Sequence, residues 1–316
     1  MKKIVAIILS FVLILTFAAC SNSKSGETKP TKDSTTTAAP SSPATEKPEP
    51  SETTKPAEEK PTSGEVSSDE VVIVDNEHCT FKIVGIDPDN LWGYTLKAYL
   101  ENKTDDKTLM FSVTGGAING LQSDPFFGRE VAAGKKSNEE ITFSSSTLDE
   151  VDIGEFTDIE LFVRVYDNDD WMADDLAEES VHIYPKGAGA ATQYVRKSQS
   201  SDVVMIDNDD VTVIVTGYDP DGFWGYTVNF YLINKTDQKL MFTTDDVSVN
   251  GYMLDPFYAT SVLGGKVAYS SLDWSDDDFD ENGITDVEEI EMKFRIYDYD
   301  DWMADDLVNE LVTLHP

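Results

Sequence analysis

Two stretches of this chain gather enough carboxylate oxygen to do chemistry. Tyr166-Asp167-Asn168-Asp169-Asp170-Trp171-Met172-Ala173-Asp174-Asp175-Leu176 holds five aspartates in nine residues, and Tyr297–Leu307 repeats it with only Asn168 changed, to Tyr299. The candidate ligand set is therefore Asp167, Asp169, Asp170, Asp174 and Asp175, with Asp298, Asp300, Asp301, Asp305 and Asp306 in the second stretch. Like charges about 6 Å apart in water repel by about 0.7 kcal/mol, so several such pairs sum to a few kcal/mol. A hard cation that takes about six to eight oxygens would relieve this, and calcium is the expected one. Asp87 and Asp89, or Asp219 and Asp221, would add ligands if their turn lies at the same end of the fold. The spacing is not that of an EF-hand, because the sixth position is Met172 where that loop needs Gly. The competing reading makes these aspartates solvated turn residues above a packed Trp171, Met172 and Leu176. Trp171 and Trp302 carry the same ambiguity: each is either a core side chain or an exposed platform for sugar or peptide.

Other reactive constellations are sparse. His78 aligns with Asp210, His182 with Thr313, and His315 with Tyr184, so neither stretch shares a histidine with its counterpart. A common histidine triad or zinc site is thereby disfavoured. No G-x-S-x-G, phosphate-cradling loop or H-E-x-x-H occurs. Carboxylate pairs of the glycosidase kind are expected by chance among 60 acidic residues, so a carboxylate-dependent hydrolase ranks last among the functional readings.

The elements that hold these loops are stated twice. Val71–Pro185 and Val203–Pro316 align end to end at an offset of 132 that becomes 131 near Thr108. A unit repeated at this length is a domain rather than a solenoid turn. Trp92, Tyr94, Leu96, Ala98 and Leu100 occupy alternate positions, as do Trp224, Tyr226, Val228, Phe230 and Leu232. Phe81, Ile83 and Gly85 suggest a second strand, and Ile159, Leu161, Val163 and Val165 a third. Asp87-Pro88 and Asp219-Pro220 start turns, Asn119-Gly120 and Asn250-Gly251 predict two-residue hairpins, and Asn102-Lys103-Thr104-Asp105 reads as a tight connection rather than a glycan acceptor. Seven or so short strands with no helical periodicity predict an all-β fold: two tandem antiparallel β-sandwiches.

The recurring W-G-Y-T, N-K-T-D, N-G, D-P-F and Y-D-x-D-D-W motifs resemble the immunoglobulin-like modules of surface lipoproteins from Gram-positive bacteria. That resemblance implies extracellular immunoglobulin-like sandwiches and assigns no catalytic residue. The Cys…Trp…Cys spacing of antibody domains is missing.

The remaining chain reads as export and spacing. Residues 1–20 carry Lys2 and Lys3, an apolar run, and Phe17-Ala18-Ala19-Cys20, which resembles a lipobox with Cys20 as the lipidated residue. An ordinary signal peptide and an uncleaved anchor are the other readings, the anchor weakened by a run shorter than the ~20 residues a span needs. Residues 21–70 form a Thr, Pro, Ser, Lys and Glu tract expected to be a disordered stalk, and residues 186–202 a flexible linker that lets the repeats move. Cys79, aligned with Val211, is expected to be a small core residue.

Charge narrows the partners. Residues 71–185 hold 24 acidic against 8 basic side chains, and residues 203–316 hold 25 against 5, within a total of −36. Nucleic acid and anionic lipid are repelled by such surfaces. The expected function is a non-enzymatic protein, lipid-anchored on the outer face of a bacterial cytoplasmic membrane, whose two modules bind an extracellular protein or glycan. The alternative is a structural or accessory cell-envelope lipoprotein whose modules act as spacers or interaction units. A binder should present an exposed aromatic or polar patch shared by both repeats; a spacer should show identity mainly in the core and turns.

Overall fold

A computed structural model describes residues 70–144, 151–301 and 303–316. The lipobox with Cys20, the stalk and Trp302 lie outside the described residues. The first repeat contains β1 (Val71–Asp75), β2 (Cys79–Asp87), β3 (Gly93–Asn102), β4 (Leu109–Ile118), β5 (Leu121–Gln122), β6 (Gly128–Val131), β7 (Lys136–Ser144), β8 (Ile159–Asp167) and β9 (Ala177–Ile183). The second repeats them as β10 (Val203–Asp207), β11 (Val211–Gly222), β12 (Gly225–Asn234), β13 (Leu240–Val249), β14 (Tyr252–Met253), β15 (Ala259–Val262), β16 (Val267–Asp273), β17 (Ile290–Asp298) and β18 (Val308–Leu314). One short helix, α1 (Asp276–Asn282), follows β16; Ser275 caps its start, and Gly283, at φ 67°, ends it. No helix among the described residues is long and apolar enough to cross a membrane.

The fold is all-β, and each repeat closes over its own core. In the first, β1-β2-β3-β7 form one sheet, and β9-β8-β4 the other, with β5 and β6 along the far side of β4. Alternation explains why the sheets meet. Ile159, Leu161, Val163 and Val165 on β8, with Leu96, Ala98 and Leu100 on β3, are buried in one cluster. Each fully buried Leu or Phe contributes roughly 1.5–3 kcal/mol. Phe81 meets Phe111 edge-on across the two sheets at 5.9 Å, as Phe230 meets Phe294 at 6.0 Å in the second repeat. Cys79 is fully buried there, and burial pushes its thiol up to about 11, so it is a core residue. The strand order is not that of an immunoglobulin domain. Here the first three strands run as a meander in one sheet, whereas the A-B-E-D order sends the chain across after its second strand.

Two local devices shift what simple alternation predicts. A bulge between Ile83 and Gly85 changes the phase of β2, so Ile86 turns into the core. Gly93 at φ 136° and Gly225 at φ 118° open β3 and β12, conformations an L side chain rarely adopts. The alternation therefore starts after them. Trp92 and Trp224, expected on the buried face, stand outside it.

The two repeats touch through backbone and side-chain contacts, and residues 186–202 run beside them. The Val267 N–H donates to the Gly120 carbonyl at 3.1 Å, and Leu121 pairs with Val267 in parallel. Gln122 donates from Nε2 to the Ser261 carbonyl at 3.0 Å while its Oε1 accepts the Leu263 N–H at 2.8 Å. Lys266 reaches Glu160 at 2.7 Å, both side chains largely buried. The linker itself is held: the Tyr194 N–H donates to the Asn119 carbonyl at 2.6 Å, its hydroxyl meets that of Tyr269 at 2.7 Å, and Arg196 pairs with Asp202 while lying over Tyr231.

Candidate functional site

The acidic loop of each repeat connects a central strand to an edge strand. It spans 168–176 between β8 and β9, and its aspartates are held in three different ways. Asp167 sits at the end of β8, where its Oδ2 takes Lys107 Nζ at 2.8 Å and its Oδ1 accepts the Asp169 N–H at 3.1 Å. The Lys107 hydrogen bond, with the loop N–H groups, holds its carboxyl below the usual range. Asp175, at the other end, receives Arg164 Nε on both oxygens, at 2.8 and 2.6 Å. Arg164 projects from the outer face of β8, packs over Tyr166 at 4.3 Å, and is itself raised by Asp175. The second repeat keeps the arginine fork, while Lys239, the counterpart of Lys107, lies over the Tyr299 ring at 3.9 Å. Asp298 accepts the N–H groups of Asp300 and Asp301, and Arg295 forks onto Asp306 at 2.9 and 3.1 Å while reaching Asp245 at 3.0 Å.

Asp169, Asp170 and Asp174, with Asp300, Asp301 and Asp305, stand in solvent. Of the five carboxylates in each loop, the first and the last thus have separate partners, and the other three face water. Among the described residues no group of three or more His, Cys, Asp or Glu side chains is arranged to hold a metal ion. In the first repeat the loop's charge is met by Arg164, Lys107 and the loop's own N–H groups; in the second it is met by Arg295 and the N–H groups of Asp300 and Asp301.

The turn that was to supply further ligands lies at the opposite end of the repeat. Asn76, beyond the β1 end of β2, donates to the Leu176 carbonyl at 3.1 Å and ties the acidic loop there. Asp87 closes the other end of β2 and Asp89 follows it, a full strand length away. Histidines add no shared site: His182 meets Asp158 at 2.7 Å and Glu160 at 3.5 Å, and Glu160 uses its second oxygen for Lys266.

The aromatic positions are exposed where packing was the expectation. Trp171 is 64 % exposed and Met172 and Met303 are exposed with it, while only Leu176 and Leu307 pack beneath their loops. At the far end Trp92 is 74 % exposed beside an exposed Leu91, and Trp224 is 63 % exposed beside Phe223, with which it makes a T-shaped pair at 4.8 Å. Both repeats therefore present a large apolar side chain and a tryptophan at the tip of the same turn, flanked by aspartates. That recurrence was visible as W-G-Y-T; the exposure was not, since it follows from the glycine after each tryptophan.

Compared with protein-family models and with curated proteins, the chain matches none.

Proposed function

We propose that this chain is a lipid-anchored protein of the outer cell surface whose two β-sandwich modules bind an extracellular partner through exposed aromatic turn tips, without catalysis. The single observation that carries this reading is the exposure of Trp92 with Leu91 and of Trp224 with Phe223 at equivalent turns. Large apolar side chains held in water at repeated positions cost solvation free energy that a partner recovers, and tryptophan is a frequent interface anchor. Each module is a two-sheet antiparallel β-sandwich around one core, in a strand order of its own. Cys20 is the proposed lipid attachment point, and the net charge of −36 argues against nucleic acid as a partner. Docking between the repeats favours the second reading in part, since a rigid first repeat also acts as a spacer.

The test is to compare the full chain with Trp92→Ser, Trp224→Ser and the double variant for retention on cell-wall material and mucus. The double variant should lose retention while keeping its melting temperature. Full retention by a folded double variant would leave the spacer reading in place. Separately, Cys20→Ala should release the protein into the medium; a variant that stays in the membrane fraction would mark an uncleaved anchor.

A further inference from the structure

The same corner of the two repeats meets different surroundings. In the first repeat the β4–β5 corner is consumed by docking: Leu121 is only 2 % exposed, and Gln122 grips the backbone at Ser261 and Leu263. The corresponding Tyr252 and Met253 of β14 are 49 % and 66 % exposed. They continue into Phe257 and the Phe223–Trp224 tip, all exposed. One buried residue joins these pieces. Trp274 donates its indole N–H to the Leu254 carbonyl at 3.0 Å and packs against Tyr226 at 6.2 Å, while Gly225, next to Trp224, lies so close to the Trp274 carbonyl that a Cβ would not fit. Phe257 is tied to the neighbouring Asp273 by an N–H bond of 2.8 Å.

Charge around this end has one sign. The segments that build it, residues 217–234, 250–262 and 273–289, contain twelve acidic residues and no Lys or Arg. The matching segments of the first repeat include Lys97 and Arg129. We propose that the free end of the second repeat, centred on Trp224, Tyr252, Met253 and Phe257, is the docking surface for a basic protein whose apolar patch is rimmed by Lys or Arg. This rests on the binding reading above and narrows it to one end and one partner chemistry. The aromatic side chains supply desolvated anchors and faces for cations, and the acidic rim steers the partner and makes binding salt-dependent. Another copy of the repeat does not fit. Met253 replaces the Gln122 amide that reads the next repeat's backbone, and Asp246 replaces Gly115, whose missing side chain admits Leu263. An anionic membrane is repelled, and a neutral glycan gains nothing from the rim.

The test uses the full chain and a labelled short peptide alternating Lys and Leu, followed by fluorescence anisotropy. Poly-lysine of equal length, phosphatidylcholine vesicles and a neutral oligosaccharide are parallel probes. The Lys/Leu peptide should bind more tightly than poly-lysine and weaken at high salt. The Trp224→Ser/Met253→Ser pair should weaken it by about tenfold or more, the size expected of anchor residues. The Trp92→Ser/Phe126→Ser pair removes the equivalent exposed side chains of the first repeat, Phe126 aligning with Phe257, and should weaken binding by a clearly smaller factor; both pairs should melt like wild type. Equal loss from both pairs would overturn the assignment to the second repeat and leave the tip reading standing; no loss from either would sink both. Poly-lysine binding as tightly as the Lys/Leu peptide, or vesicles or oligosaccharide binding in its place, would overturn the basic-protein assignment.

Discussion

The Gln122 side-chain carbonyl accepts the Leu263 backbone N–H at 2.8 Å across the boundary between the repeats. With its amide on the Ser261 carbonyl, this one side chain completes the backbone pairing of a strand corner that belongs to another module. The interface therefore depends on a residue that its counterpart, Met253, cannot imitate.

Gln122→Met should loosen the docking. Two hydrogen bonds are lost, each with a net value of about 1 kcal/mol. The expected outcome is faster proteolysis within residues 186–202 and a single melting transition that separates into two. Unchanged cleavage would mean that Lys266–Glu160 and the tyrosine contacts hold the repeats unaided.

The linker clip gives a pH signature. Arg196, with the Gln199 N–H, holds the Asp202 carboxyl down at about 2 from 3.8. A lowered carboxylate stabilises the fold above its unfolded value, and that stability fades as pH falls through the folded one. Asp202→Asn should therefore melt lower than wild type at neutral pH, with the difference closing between about pH 4 and pH 2. A gap that persists at pH 2 would remove the carboxylate from the explanation.

Asn102 and Asn234 are buried, and their amide groups donate to the Lys107 and Val131 carbonyls and to those of Gln238, Val262 and Leu263. Replacing either with Ala leaves buried carbonyls without donors and should cost about 2–3 kcal/mol, read by urea unfolding. The same burial explains why Asn-x-Thr here is a turn. A cost within about 0.5 kcal/mol, the range of ordinary surface changes, would show that water replaces the amide freely.

For the acidic loops the expected result is parity. Millimolar calcium and sodium at matched ionic strength should raise the melting temperature equally, because Asp167 and Asp175 already answer to Lys107 and Arg164. Arg295→Ala should instead cost about 1–3 kcal/mol, since it strands a partly buried Asp306. A calcium-specific rise that Asp169→Asn/Asp170→Asn abolishes would reverse this conclusion.

Much of the framework was legible in the chain. Val163 and Val165 alternate because their strand buries one face, and Asn119 and Asn250 adopt φ of 52° and 50° where a two-residue hairpin requires it. What escaped was relational. Arg164 read as a polar strand position, since nothing local says that its guanidinium will reach eleven residues forward to Asp175. Gln122 binds backbone atoms, which leave no mark on the partner's sequence. Only the divergence of Leu121-Gln122 from Tyr252-Met253 between otherwise matching copies signalled that the two corners face different neighbours. Trp92 was misplaced because one positive-φ glycine ends the strand's phase.

The corner at Gly115 and Gln122 also bears on how such a chain can grow by gene duplication. A repeat placed after the second would meet Asp246 and Met253 where the second meets Gly115 and Gln122, so it would inherit the fold without inheriting the joint. Lengthening the array would require reverting that corner as well as copying a module, and chimaeras that exchange the corner between copies would lose the docked joint.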